Sequence, residues 1–188
     1  MKVAAITVRA GNVLEEGGKL WVVLKSEIFN PGKGASVVQV EMRDLRSGNK
    51  NNVRYRTQET VERVSLEEQE YAFLFAEGDS FTFMNQETFD QMTVDREIIG
   101  YPASFLQDGM VCSIKTYEGQ PLAVSIPDTV ILEITEADAV VKGQTASSSY
   151  KPALLSNGVK TSVPPFIGAG TRIVVKTEDG SYVERAKD

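Results

Sequence analysis

Shifted by 61 residues, the second half of the sequence falls onto itself. Phe105 meets Phe166, Gly109 meets Gly170, Lys115 meets Lys176, Thr116 meets Thr177 and Gly119 meets Gly180. Leu106 with Ile167, Ile114 with Val175 and Glu118 with Asp179 agree in kind, so both copies read apolar pair, glycine turn, strand, charged turn, strand. A sequence duplicated at this spacing folds its second and third parts alike, and leaves the part before the duplication free to fold differently. Charge divides the chain at the same places: residues 1–64 carry net +4, residues 65–128 net −10 and residues 129–188 none, for −6 in all. Segregation by consecutive blocks points to three small domains, 1–64, 65–128 and 129–188. Blocks of about 60 residues bury little core alone and gain from packing on one another.

Strand patterns dominate. Residues 20–29, 37–45 and 53–57 are rich in branched and aromatic side chains and are separated by glycine, asparagine and proline turns, as in a small barrel. In the second block 70–75, 80–84, 111–117, 122–126 and 130–135 read as strands, with one short helix expected over 98–106. Five strands with an inserted helix suggest an OB-like barrel. In the third block 173–177 and 181–185 are the clearest strands, while 143–150 and 155–163 look too polar and turn-rich to enter a core.

Several function classes are excluded by what the chain lacks. It has no histidine, the commonest general base and zinc ligand, and one cysteine, so no internal disulfide forms. Cys112 falls on Ile173 through the repeat and is expected to be a buried thiol rather than a nucleophile. The acidic cluster Glu67, Glu68, Glu70, Glu77 and Asp79 lacks the spacing of a calcium loop and reads as a solvated face, so no metal is expected. The longest apolar run, 20–24, is far below the ~20 residues of a membrane helix, and the opening Met1-Lys2-Val3 starts no secretion signal. A cytoplasmic protein with no membrane partner is expected.

The chemically suggestive segment is Asn30-Pro31-Gly32-Lys33-Gly34-Ala35-Ser36, between two strands of the only basic block. With no side chain on Gly32 or Gly34, Lys33 stands alone at the tip of a hairpin, open to a partner or a modifying enzyme. On residue physics alone, a solvated turn is the simpler reading. The loop is no phosphate cradle, because Lys33 is followed by glycine and then a strand rather than by Ser/Thr and a helix. Arg9, Lys25, Arg43, Arg46, Arg54 and Arg56 are candidates for phosphate contacts of RNA, and ordinary surface charge explains them about as well.

The third block reads Lys151-Pro152-Ala153, then Gly158, Val163-Pro164, Ile167 and Gly170. Order and spacing resemble the C-terminal signature of the bacterial elongation factor P family, and the Asn30–Ser36 loop resembles that family's lysine-tipped loop. Thr161 departs from the pattern, standing where an aliphatic residue is usual, and is expected to soften a core contact. The resemblance implies an all-β chain with an N-terminal SH3-like barrel followed by two OB-fold barrels, together imitating the outline of a tRNA. It implies a non-catalytic translation factor that enters the 70S ribosome between the peptidyl and exit tRNA sites. There it relieves stalls at consecutive prolines, with Lys33 reaching toward the acceptor end of peptidyl-tRNA and the peptidyl transferase centre. No cofactor is implied, although Lys33 is a suitable acceptor for a beta-lysyl group from a lysine-modifying enzyme.

The same resemblance marks Gly143, Gln144, Thr145 and Ala146 as the loop facing messenger RNA in the exit site, with Gln144 standing where many relatives carry aspartate. It also marks Tyr182 and Arg185 as contacts to tRNA or ribosomal RNA, although an alternating last strand, one residue packed and one solvated, accounts for them as well. A monomer is expected. Two other classes stay open: the elongation factor P-like paralogue, with a different client set, and a carboxylate-dependent hydrolase using the acidic block.

Overall fold

The structure is a computed structural model that describes residues 1–139 and 149–187. The strands are β1 (Lys2–Ala4), β2 (Val13–Glu16), β3 (Lys19–Phe29), β4 (Val37–Asp44), β5 (Lys50–Arg56), β6 (Thr60–Val64), β7 (Glu67–Glu77), β8 (Ser80–Asn85), β9 (Gln91–Asp95), β10 (Val111–Tyr117), β11 (Gln120–Ser125), β12 (Thr129–Ala137), β13 (Lys151–Leu155), β14 (Lys160–Val163), β15 (Arg172–Lys176) and β16 (Tyr182–Arg185). They form a six-stranded sheet, β1-β6-β2-β3-β4-β5, and two five-stranded sheets, β11-β10-β7-β8-β9 and β14-β13-β12-β15-β16. The chain divides into two compact units, Met1–Glu67 and Glu68–Asp188.

In the first unit, alternation along β4 sends Val38, Val40 and Met42 inward, where they pack with Leu14, Val23, Tyr55 and Val61. The sheet curls on itself: the Tyr55 hydroxyl of the end strand β5 donates to Glu16 of β2 at 2.6 Å, although β3 and β4 lie between them in the sheet. Burial and that bond both push the Tyr55 hydroxyl pKa up.

The repeat is visible in the backbone of the second unit. Each five-stranded sheet runs third, second, first, fourth, fifth strand of its own set, so the two copies share one connectivity. Gly109 N–H donates to Phe73 O and Gly170 N–H to Ile134 O, each at 2.8 Å and at the same 61-residue offset; Phe73 N–H to Met110 O and Ile134 N–H to Thr171 O repeat it. All four repeated glycines have φ between +76° and +86°, the left-handed region where a side chain is strained. This is why glycine survives in both copies. Cys112 and Ile173 are both buried, and burial pushes the Cys112 thiol up to about 11.

Phe105 and Phe166 part company. Phe105 is 1% exposed and packs into the third sheet's core beside Val130, Ile134 and Ile173, whereas Phe166 is 60% exposed. The second sheet is followed by another that covers its phenylalanine. Around Phe105 the two sheets are fastened by backbone-directed bonds: Tyr101 hydroxyl to Asp179 O at 3.2 Å, Asn157 Nδ2 to Ser104 O at 2.9 Å and Gln107 Nε2 to Ile131 O at 3.0 Å.

Three expectations are corrected. The helix expected over 98–106 is instead a single turn, α1 (Arg96–Ile99), followed by a 3-10 turn at Tyr101–Phe105, because Gly100 at φ +78° breaks the path and Pro102 has no N–H to continue it. Residues 155–163 do enter the core: Leu155 and Val163 are buried while Asn157, Lys160 and Ser162 are not, so high average polarity concealed a period-two pattern. Thr161 softens nothing, since its half-buried hydroxyl donates to Gly180 O at 2.6 Å.

Candidate functional site: a lysine-tipped hairpin beyond a basic sheet face

The register of the first sheet decides which basic residues meet. Along β3, β4 and β5, the rows Phe29–Val37–Arg56, Glu27–Gln39–Arg54, Lys25–Glu41–Asn52 and Val22–Arg43–Lys50 lie side by side. Directly opposed residues share a face. The intervening rows, such as Ile28–Val38–Tyr55 and Val23–Met42–Asn51, include the buried Val38, Val23 and Met42 and face the core. Lys25, Arg43, Arg54 and Arg56 therefore stand together on the outer face. Lys25 does so because β3 takes an extra residue, Leu24, between the pairs Val23–Met42 and Lys25–Glu41. Without this bulge Lys25 would point into the core.

Two cations on this face are matched to carboxylates: Lys25 to Glu27 at 2.8 Å, which raises the Lys25 pKa, and Lys50 to Glu41 at 3.8 Å. Arg43, Arg54 and Arg56 are exposed and have no ion pair among the described residues. Arg9 stands apart from them. Its guanidinium donates to Ile6 O at 2.8 Å and Val8 O at 2.9 Å, clasping the turn that follows β1.

β3 and β4 pair up to Phe29–Val37, so residues 30–36 form the hairpin's tip. The Ser36 hydroxyl bonds the Asn30 side-chain oxygen across the loop's base. Gly34 has φ +106°, a conformation that excludes most other residues there. Lys33 is exposed, with no ion pair or side-chain hydrogen bond among the described residues. At the root of the loop, Phe29, Asn30, Pro31, Val37 and Arg54 line a shallow, mostly apolar cleft of about 420 Å³. Sequence reasoning missed the cleft, although Phe29 and Val37 signal it: both are apolar at positions that alternation assigns to the outer face.

Together the elements can bind a polyanion and present a primary amine beyond it. Unpaired guanidiniums on a rigid sheet attract phosphates, the cleft takes apolar or aromatic surface, and the stapled loop carries the ammonium outward.

In the third sheet Val175 opposes Tyr182, Val174 opposes Glu184 and Ile173 opposes Arg185. The extra residue, Val183, cancels the alternation expected there. Tyr182 and Arg185 consequently share the face of Val175 and Ile173, with Tyr182 half-buried against the core and Arg185 exposed. Gly143, Gln144, Thr145 and Ala146 lie outside the described residues. In the acidic block, Glu68 accepts the Ser113 hydroxyl at 2.6 Å and Asp79 pairs with Arg96 at 3.2 Å.

Three family models match the chain in succession: "Elongation factor P (EF-P) KOW-like domain" over residues 4–61, "Elongation factor P (EF-P) OB domain" over 66–124 and "Elongation factor P, C-terminal" over 130–185. The chain is 58% identical over 188 residues to elongation factor P of Rhodospirillum centenum, covering both chains fully.

The chain belongs to the elongation factor P family.

Elongation factor P of Gluconobacter oxydans is 57% identical and that of Rhizobium meliloti 56% identical, each over 188 residues and the full length of both chains. Among solved structures, translation initiation factor 5A from Methanococcus jannaschii covers 66% of this chain and 95% of its own with a TM-score of 0.54; at 19% identity it is a likeness of fold alone. Family membership makes the chain a translation elongation factor with the ribosome as its partner, built on a KOW- or SH3-like domain and OB domains. Among the described residues, no helix is long and apolar enough to cross a membrane.

Proposed function

We propose that the chain binds the 70S ribosome between the peptidyl and exit tRNA sites and promotes peptide-bond formation at consecutive prolines, by holding the acceptor end of peptidyl-tRNA in place. The observation that carries this reading is the exposed Lys33 at the tip of a stapled hairpin that continues the strands whose outer face bears Arg43, Arg54 and Arg56. The guanidiniums engage tRNA and ribosomal RNA phosphates, and the hairpin extends Lys33 toward the peptidyl transferase centre. Chemistry stays with the ribosome: the proline nitrogen attacks the ester carbonyl of peptidyl-tRNA, and the tRNA hydroxyl leaves. Proline is a stiff secondary amine that reaches this geometry poorly, so fixing its partner removes part of the entropic cost.

Lys33 is the acceptor for a beta-lysyl group. Its deprotonated amine takes the acyl group from an activated donor held by a lysine-modifying enzyme, forming an amide and releasing the activating group. The Gly143–Ala146 loop faces exit-site messenger RNA, with the Gln144 amide able to donate and accept hydrogen bonds. The factor acts in the cytoplasm, as a monomer.

A photo-crosslinking side chain at position 33, tested on ribosomes holding peptidyl-tRNA, is expected to label the tRNA acceptor end. Labelling of ribosomal proteins alone, or labelling that ignores the presence of peptidyl-tRNA, overturns the placement.

A further inference from the structure

We propose that Asn157 is a site of spontaneous chemical modification, held in check by the packing of the second sheet on the third, and that its conversion to a carboxylate unfastens the two sheets. Asn157-Gly158 is the one Asn-Gly pair in the sequence. A glycine on the C-terminal side leaves the backbone nitrogen unshielded, so that it can reach the asparagine side-chain carbon. The loop joining β13 to β14 nonetheless uses both residues. Leu155 N–H donates to Val159 O and Gly158 N–H to Leu155 O, each at 2.9 Å. Gly158 takes φ +85°, the left-handed conformation that a three-residue hairpin loop needs at its last position. The Asn157 side-chain oxygen accepts the Val159 N–H at 3.1 Å, an Asx turn, while its amide nitrogen donates across the sheets to Ser104 O at 2.9 Å. Ser104 immediately precedes the buried Phe105, so this bond sits at the joint that Phe105 fills.

While the joint is closed, both reacting groups are occupied. The two ends of the Asn157 amide are held by Val159 and Ser104, which fixes its carbon, and the Gly158 nitrogen, which must lose its proton to attack, donates that proton to Leu155 O. Opening the sheets frees the amide. The Gly158 nitrogen, its proton passed to solvent, then attacks Asn157 Cγ: a C–N bond forms, the Cγ–Nδ2 bond breaks, and ammonia leaves with a proton from water. Water adds to the cyclic imide and opens it at either carbonyl, giving aspartate or isoaspartate. The net change is amide plus water to carboxylate plus ammonium, with no oxidant or reductant. Either product ends the bond to Ser104, because a carboxylate has no N–H to donate and turns negative charge toward the carbonyl oxygen. Isoaspartate also lengthens the main chain within the loop. The modification thus loosens the joint that had restrained it.

The inference involves neither Lys33 nor the basic face, so it stands or falls apart from the ribosomal reading. The full chain is incubated in mildly alkaline buffer, with and without denaturing urea, and conversion of Asn157 is followed by peptide mass mapping and isoaspartate-specific methylation. Wild type is expected to react about tenfold or more slowly when folded, because only the open fraction reacts. In native buffer Phe105→Ala should speed the reaction about tenfold, and Tyr101→Phe, which loses only the hydroxyl bond to Asp179 O, about threefold. Asn157→Asp, standing for the product, should lower the urea midpoint by about 0.5 M.

Equal rates in the folded and unfolded chain overturn the inference, as does a folded-state rate unmoved by both Phe105→Ala and Tyr101→Phe. Where Phe105→Ala does not fold, Tyr101→Phe decides alone. An Asn157→Asp chain as stable as wild type also overturns it, since the product would then leave the sheets fastened.

Discussion

Phe105 and Phe166 occupy one position of the duplicated sequence and differ only in what lies over them, so truncating each to alanine isolates the packing of the two OB sheets. Phe105 is 1% exposed, with the Tyr101 ring centroid 5.6 Å away and the Gly180 turn against its edge. Removing a fully buried phenylalanine costs about 3–5 kcal/mol, from lost transfer energy plus the cavity left behind. With a urea slope of about 2 kcal/mol/M, a loss of about 4 kcal/mol lowers the midpoint by about 2 M. Phe166, at 60% exposure, has little burial to lose, and its removal should change stability by no more than about 0.5 kcal/mol. Far-UV circular dichroism through a urea series measures both variants. The sole tryptophan, Trp21, lies in the first compact unit, so its fluorescence supplies an internal reference within the same sample. Equal midpoint losses for the two variants, or none for Phe105→Ala, would refute the idea that the third sheet covers Phe105.

The paired turn glycines give a second matched test. Gly119→Ala meets nothing within 4 Å and should lose only the left-handed backbone strain, about 1–2 kcal/mol, whereas Gly180→Ala adds a Cβ 3.0 Å from the Tyr101 hydroxyl and 3.3 Å from Phe105 and should lose more, as thermal unfolding would show. Arg54→Ala should weaken ribosome co-sedimentation most at low salt and flatten the salt dependence by about one counter-ion; an unchanged slope contradicts a phosphate contact. Cys112, buried with its thiol raised to about 11, should resist alkylation in the folded chain at mildly alkaline pH and react promptly in urea. The Asp44 carboxyl is held below the usual carboxylate range, chiefly by the Arg46 backbone N–H, so its stabilisation is present above about pH 4 and is lost as acid titrates the folded group. Asp44→Asn keeps an acceptor for that N–H but removes the titration, and should show a shallower loss of stability on acidification in pH-dependent urea melts.

What was legible in the sequence follows from what repeats locally. The 61-residue self-match found the shared connectivity because glycines at positive φ and a buried threonine, Thr116 or Thr177, are demanded by the same local geometry in both copies. The Lys33 hairpin was legible because Pro31, Gly32 and Gly34 punctuate two strongly apolar strands. Long-range consequences were not. Whether a repeated phenylalanine is covered depends on the next sheet along the chain, whose covering residues run from Val130 to Val175, and two identical residues had opposite fates. Bulges at Leu24 and Val183 were equally invisible, since one inserted residue reverses a strand's facing without altering its composition. Those bulges bring Lys25 to the basic face and Arg185 to the side of Tyr182. Leu155 and Val163 were missed for the complementary reason, a short inward pattern diluted by polar neighbours.

The central claim, that Lys33 on its hairpin speeds bond formation at proline by positioning peptidyl-tRNA, is tested most directly by tripeptide formation on ribosomes translating consecutive-proline and proline-free messages. Native-source protein and its Lys33→Ala variant are compared at saturating factor. The account predicts a rate increase confined to the proline message and lost in the variant while ribosome binding persists. Equal acceleration of both messages, or a proline effect undiminished by Lys33→Ala, would contradict it.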